Sequence, residues 1–254
     1  MPFKTNNIKV YNGGNPRFQV HRKYGKFPSN LTLGFENEIV YEPDNYRKID
    51  DKVTDFIISN PYLYMKLEQS NDGVEINSQP FNWNWYLRLM KDSGKENFID
   101  ELASLKSYNN FYVDGNCGFH IHLSRNFFSK QHLVKMVKFF YSQENTKFLY
   151  KISKRKKENF IEYASNKIPM RETVDKFYDD SDKYQVPYTF EEIASLKRFK
   201  FDSVIGEKSS ILNLYPRNTI EIRLFKGTTN PVLFRAYLEF ALAVSLFTRD
   251  TDYD

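Results

Sequence analysis

Seven residues in four short stretches carry side chains that bind divalent cations or stabilise anions. They are Glu36 and Glu38 in GFENEIVYE, Glu75 in GVEINSQPF, His120 and His122 in CGFHIHLSR, and Glu221 and Arg223 in TIEIRLF. A β-strand sends successive side chains to opposite faces, so residues two apart share a face about 6.6–6.8 Å from one another. On that reading Leu33, Phe35, Ile39, Val74, Ile76, Phe119, Ile121, Leu123, Ile220, Ile222 and Leu224 point the other way. If the strands join one antiparallel sheet, one face packs on helices. The other collects four carboxylates, two imidazoles and a guanidinium. Clustered carboxylates raise one another's pKa unless a cation neutralises them. Oxygen ligands in this number favour Mg²⁺ or Mn²⁺, and histidine tilts the choice toward Mn²⁺. Neighbouring strands at that spacing can hold two ions about 3.5–4 Å apart. Each pair alone also fits a wet strand face, and Glu221 with Arg223 also fits a local ion pair of small energetic weight. The convergence of ligand types is what points to a metal site.

The elements that position these residues follow from periodicity. LTLGFENEIVYE over 31–42, GVEINSQPF over 73–81 and ILNLYPRNTIEIRLF over 211–225 read as strands, the last interrupted by a turn at YPRN. Apolar residues at helical spacing predict helices over 44–59, 83–91, 96–107 and 129–141, the last with Ser129 as N-cap. Asn230 can cap, and Pro231 can start, a helix reaching Phe247, whose apolar residues lie nearly all round and predict burial. Residues 1–30 contain turn signals, and 142–205 is charged and tyrosine-rich, read as helices and loops inserted between strands. The class expected is α+β, in a single domain spanning 1–254.

Composition narrows the possibilities. A chain of 254 residues with 41% hydrophobic and 17% aromatic residues buries a substantial core. No signal-type apolar run opens it, and its most apolar stretch, 231–247, contains Arg235 and Glu239, so no membrane association is expected. With Cys117 as the only cysteine there is no intrachain disulfide, which fits a reducing cytoplasm; the thiol reads as a small inert residue beside Gly118. A net charge of +5 suits an anionic partner such as a nucleotide. The basic run KFLYKISKRKK, 147–157, reads as a solvated helix face ahead of a nucleic-acid surface.

The four stretches, in this order, resemble the amidoligase family, within the glutamine synthetase and glutamate–cysteine ligase superfamily of carboxylate–amine ligases. The likeness runs from residue 34 to residue 231; the opening segment and 142–205 carry no matching motif. It implies a curved antiparallel sheet of glutamine-synthetase-like form whose concave face binds ATP with two or more Mg²⁺ or Mn²⁺ ions. It further implies that Glu75 joins Glu38 on one ion, and that His120 and Glu221 join Glu36 on another. His122 and Arg223 would be the catalytic pair, His122 on the nucleotide phosphates and Arg223 on the transferring γ-phosphate, with Ser124 as a further nucleotide contact. The implied reaction converts a carboxylate to an acyl phosphate, which an amine attacks to form an amide. Its partners are ATP, a carboxylate and an amine, a peptide or protein among them. Phosphoryl transfer needs positioning and neutralisation of spreading charge, so the lack of a G-x-x-x-x-G-K-[ST] loop is no obstacle. One departure stands out: the glutamine synthetase branch has a further acidic ligand shortly after the position of Glu75, where NSQPF offers Gln79. The 142–205 segment is the expected carrier of acceptor specificity. Two other readings of the same residues stay open: a metal-dependent hydrolase with an activated water, and a non-catalytic, nucleotide-binding descendant.

Overall fold

The computed structural model describes residues 8–10, 20–41, 60, 62–67, 73–92, 111–167, 170–174, 183–187, 189–195, 210–214 and 216–250. The helices expected over 44–59 and 96–107 lie outside the described residues. In chain order the strands are β1 (Ile8–Val10), β2 (Thr32–Tyr41), β3 (Leu63–Leu67), β4 (Gly73–Ser78), β5 (Phe81–Asn82), β6 (Phe111–Tyr112), β7 (Gly118–Ser124), β8 (Met170–Val174), β9 (Lys183–Pro187), β10 (Leu212–Asn213) and β11 (Thr219–Lys226). The helices are α1 (Trp83–Asp92), α2 (Lys130–Tyr141), α3 (Thr146–Ser153), α4 (Lys157–Tyr163), α5 (Phe190–Ser195) and α6 (Pro231–Asp250). The fold is α+β. Among the described residues a nine-stranded sheet runs in the order β1-β3-β4-β2-β7-β11-β10, with β5 and β6 also pairing with β2. All its pairings are antiparallel except β1 with β3.

The alternation seen in the sequence becomes the two faces of this sheet. Leu33, Phe35, Ile39, Val74, Ile76, Phe119, Ile121, Leu123, Ile220 and Ile222 are buried together. Against them lies α6, with Phe234 edge-on to Phe35 and Phe119 at ring distances of 4.8 and 4.9 Å, and Tyr237 stacked on Phe225 at 4.1 Å. Each such aromatic or aliphatic side chain contributes about 1.5–3 kcal/mol by leaving water. Helix α2 packs beside α6. The Ser129 side chain accepts a hydrogen bond from the His132 N–H and so caps it as expected, and the His132 ring reaches the Ser245 carbonyl at 2.9 Å. Asn230 Oδ1 accepts from the N–H groups of Val232 and Leu233, capping α6 as expected.

Three features differ from the sequence reading. Helix α6 is buried on one face rather than all round: Val232 is 73% exposed, and Arg235 pairs with Glu239 on the outer side. It is long and apolar enough to cross a membrane by length and composition, but its inner face is part of the core. The 142–205 stretch contains, besides helices, the β8–β9 hairpin. Finally, β11 has a bulge. Ile222 faces Ile121 and Phe225 faces Phe119, so two residues, Arg223 and Leu224, stand opposite the single residue His120. A bulge re-aims side chains; here Arg223 keeps the polar face while Leu224 and Phe225 are both buried.

One polar residue sits on the apolar face. Asn37 is fully buried, its Nδ2 donating to the Thr228 carbonyl at 2.8 Å and its Oδ1 accepting from the Thr228 N–H at 3.0 Å. A buried amide is tolerable when paired this completely. The pairing ties β2 to the segment leading into α6. At Gly227 a Cβ would lie 2.5 Å from the Glu38 carbonyl oxygen, so this approach of two backbones requires glycine.

Candidate metal centre

Strand register, rather than proximity in sequence, assembles the polar face. Glu36 on β2 lies across from Asn77 on one side and His120 on the other; Glu38 pairs with Glu75, and His122 pairs with Glu221. All seven residues singled out from the sequence lie on these strands. The His122 Nε2 is 3.2 Å from Glu36 Oε1, and the His120 Nδ1 is 3.5 Å from Glu36 Oε2 and 3.4 Å from Glu221 Oε1. Donor atoms of Glu36, His122 and Glu221 lie within 4.8 Å of one another. The resemblance assigns His120 to the ion with Glu36 and Glu221; the geometry puts both histidines against these carboxylates.

Supporting residues orient these donors. Arg223 donates to Glu221 Oε1, and Asn213, on the neighbouring edge strand β10, donates to Glu221 Oε2 at 2.7 Å. Thr219 Oγ1 lies 3.3 Å from His122 Nδ1, which leaves Nε2 facing the carboxylates. Partners of this kind fix ligand orientation in metal sites. The Gly118 N–H donates to Glu38 Oε2 at 2.5 Å. A Cβ at position 118 would stand 2.4 Å from His120 Nε2, so glycine is what allows that imidazole its place.

The electrostatics is that of a mutually charged cluster. Burial alone would raise the Glu36 carboxyl, but attraction and hydrogen bonds from His122 and His120 hold it well below the usual range. Burial likewise opposes ionisation of Glu221, and His120, Arg223 and His122 overcome it. For His122, burial would lower the pKa, but Glu36 raises it above the ordinary value. Glu75 goes the other way: burial and the Glu36 charge raise it, with Lys66 opposing. At the Glu36 end, then, ionised carboxylates and imidazole nitrogens converge from three strands. This donor set fits a divalent cation of the Mg²⁺ or Mn²⁺ type, taking nitrogen from histidine and oxygen from glutamate.

Two residues near this face escaped the sequence reading. Lys66 on β3 has its ammonium 2.9 Å from Glu75 Oε1 and 3.9 Å from Glu36 Oε1. Arg155, within the basic run, is 5% exposed, and its guanidinium donates to the carbonyls of Leu224 and Phe225 at 3.3 and 2.8 Å. Those carbonyls flank the bulge, where the regular ladder is interrupted. Burial pulls the Arg155 guanidinium down to about 10, with Glu38 opposing that shift. Lys147, Lys151, Lys154, Lys156 and Lys157 of the same run are exposed as expected. Ser124 lies at the end of β7, where its hydroxyl donates to the Asn30 carbonyl and accepts from the Thr32 N–H, fixing the start of β2. Gln79 is buried at the end of β4. Cys117 is buried, and burial pushes its thiol up to about 12.

The protein is α+β, and one face of its sheet gathers glutamates, histidines and an arginine in a set that could hold a divalent ion. The family model described as "Putative amidoligase enzyme" matches residues 64–245, and the chain belongs to this family. The match takes in Glu75, His120, His122, Glu221 and Arg223, while Glu36 and Glu38 precede it. No curated protein matches the chain.

Proposed function

We propose that the protein is an ATP-dependent ligase that joins a carboxylate to an amine, working on the polar face of a glutamine-synthetase-like sheet with Mg²⁺ or Mn²⁺. The observation that carries this reading is the meeting of Glu36, Glu38, Glu75, His120, His122, Glu221 and Arg223 on one face, in a chain of the amidoligase family. Glu36, His120 and Glu221 would hold an ion, which would supply positive charge to phosphate oxygens. Arg223, fixed by Glu221, offsets the negative charge that spreads over the phosphoryl group during transfer. The substrate carboxylate oxygen attacks the γ-phosphorus and ADP leaves. The amine nitrogen then attacks the acyl carbon, phosphate leaves, and the nitrogen loses a proton to give the amide. His122, whose Nδ1 faces Thr219 Oγ1, would turn its Nε2 to the phosphate oxygens, and Ser124 shapes that edge of the face. The 142–205 segment is the natural holder of the acceptor, and a single buried thiol suits the cytoplasm.

The test is trapping. With ATP, Mg²⁺ and hydroxylamine, a panel of amino acids and peptide carboxylates is expected to yield a hydroxamate and ADP in equal amounts. Glu221→Gln and Arg223→Met should each lower that yield by about 100-fold or more, the scale of a lost transition-state donor. Hydrolysis of amide substrates by metal alone, with no response to ATP, would instead establish the hydrolase.

A further inference from the structure

The polar face has two ends, and their carboxylates are balanced differently. At the Glu36 end the carboxylates of Glu36 and Glu221 face two imidazoles, and a divalent ion fits among them. At the other end stand Glu38 and Glu75, paired across β2 and β4. Lys66 is directly opposite Glu75 in the β3–β4 register, so the row across the sheet reads Lys66, Glu75, Glu38. The Lys66 ammonium sits between Glu75 and Glu36, nearer the former, with its side chain 18% exposed and that of Glu75 only 7% exposed. A Mg²⁺ ion taken up by Glu75 Oε1 would have to bind at about 2.0–2.1 Å from an oxygen that already has an ammonium at hydrogen-bond distance. Glu38 has its own partner: its Oε2 accepts the Gly118 N–H. Glu75 therefore faces a cation that belongs to the chain, and Glu38 is held by a backbone N–H. That cation does not depend on the concentration of free metal.

We propose that this protein holds one resident divalent ion, at the Glu36 end, and that Lys66 is a built-in cation standing where a second ion would be shared by Glu75 and Glu36. This rests on the metal-dependent reading above and sharpens it: any further ion arrives with the nucleotide. Two unpaired carboxylates on neighbouring strands repel, and an ammonium in register with them relieves that repulsion permanently. Lysine is a compact point charge with three donors on a flexible stem, suited to bridging two oxygens.

The experiment is a Mn²⁺ titration without nucleotide, read by calorimetry and by electron paramagnetic resonance, on the full chain. Wild type is expected to bind about one equivalent and to show the spectrum of an isolated ion. Lys66→Met and Lys66→Gln should each gain a second equivalent with magnetic coupling between ions about 3.5–4 Å apart. Lys66→Arg keeps the charge and should stay at one. A wild-type count of two overturns the proposal while leaving the metal-dependent reading intact, and so does a count of one in both Lys66→Met and Lys66→Gln. A wild-type count of zero overturns the proposal, and overturns the metal-dependent reading as well if Mn²⁺ still fails to bind when ATP is added. If one of Lys66→Met and Lys66→Gln does not fold, the other decides.

Discussion

Gly118→Ala perturbs the candidate metal centre without removing a donor. The added methyl would lie 2.4 Å from His120 Nε2 and 3.1 Å from Glu38 Oε2, where ordinary contact begins at 3.4 Å, so something must give by about 1 Å. The imidazole cannot slide away freely, because its Nδ1 is held between Glu36 and Glu221 at 3.5 and 3.4 Å. Glu38 cannot swing without loosening its bond to the residue-118 N–H. Overpacking of this kind costs about 1–3 kcal/mol. For a chain of this size each kcal/mol lowers the melting temperature by about 2–4 °C. Metal affinity should fall by about 10–100-fold, the usual consequence of losing the groups that orient ligands, equivalent to about 1.4–2.7 kcal/mol. The assay is thermal unfolding without metal, followed by Mn²⁺ titration of wild type and Gly118→Ala under the same conditions. A variant that melts within about 1 °C of wild type and binds Mn²⁺ within about twofold would refute the packing argument.

Other perturbations test other parts of the account. Asn37→Ala leaves the Thr228 N–H and carbonyl without their partner, at about 1–3 kcal/mol for each buried group; urea unfolding should show the midpoint falling accordingly, and an unchanged midpoint would deny Asn37 its structural role. Arg155→Met strips two charge-assisted hydrogen bonds from the β11 bulge and should cost about 2–3 kcal/mol. Arg155→Lys should recover part of that stability, and equal losses in both variants would show that the carbonyl contacts are not what Arg155 contributes. His132 is buried with its Nε2–H directed at the Ser245 carbonyl, and burial lowers its pKa below the ordinary 6.5. The unfolded chain therefore binds a proton that the folded chain refuses as pH falls below about 6.5, so this residue makes stability decline on acidification. Melting curves from pH 8 to 5 should fall less steeply for His132→Gln than for wild type; parallel curves would contradict the assignment.

Much of this architecture was legible because it depends on alternation. GFENEIVYE, CGFHIHLSR and TIEIRLF each segregate polar from apolar residues with a period of two, and that sufficed to place their glutamates, histidines and arginine on one side. The caps of α2 and α6 were equally local, since Ser129 and Asn230 act on residues two or three positions away. What escaped depends on tertiary register. Asn37 was visible as the one polar residue out of phase in GFENEIVYE, but its partner Thr228 is 191 residues away. Strand β3 is only LYMKL, a five-residue strand easily lost beside a longer helical pattern, and with it went Lys66. Arg155 was hidden among five exposed lysines. The left-handed turn at Lys154, with φ of 59°, and the β11 carbonyls that accept from the Arg155 guanidinium explain why that one cation turns inward. Phe225 joined the core because the bulge shifts the alternation that TIEIRLF otherwise keeps.

The central claim is that the polar sheet face is a joint metal and nucleotide site, and coupled melting tests it most directly. Melting temperatures are compared with Mn²⁺ alone, ATP alone and both together, for wild type and Glu221→Gln. A ligand at about 100 times its dissociation constant adds about 2.7 kcal/mol, or roughly 5–10 °C for a chain of this length. The account predicts that Mn²⁺ and ATP together raise the melting temperature by more than the sum of their separate effects, and that Glu221→Gln abolishes the excess. Stabilisation by Mn²⁺ to which ATP adds nothing at any concentration would contradict it.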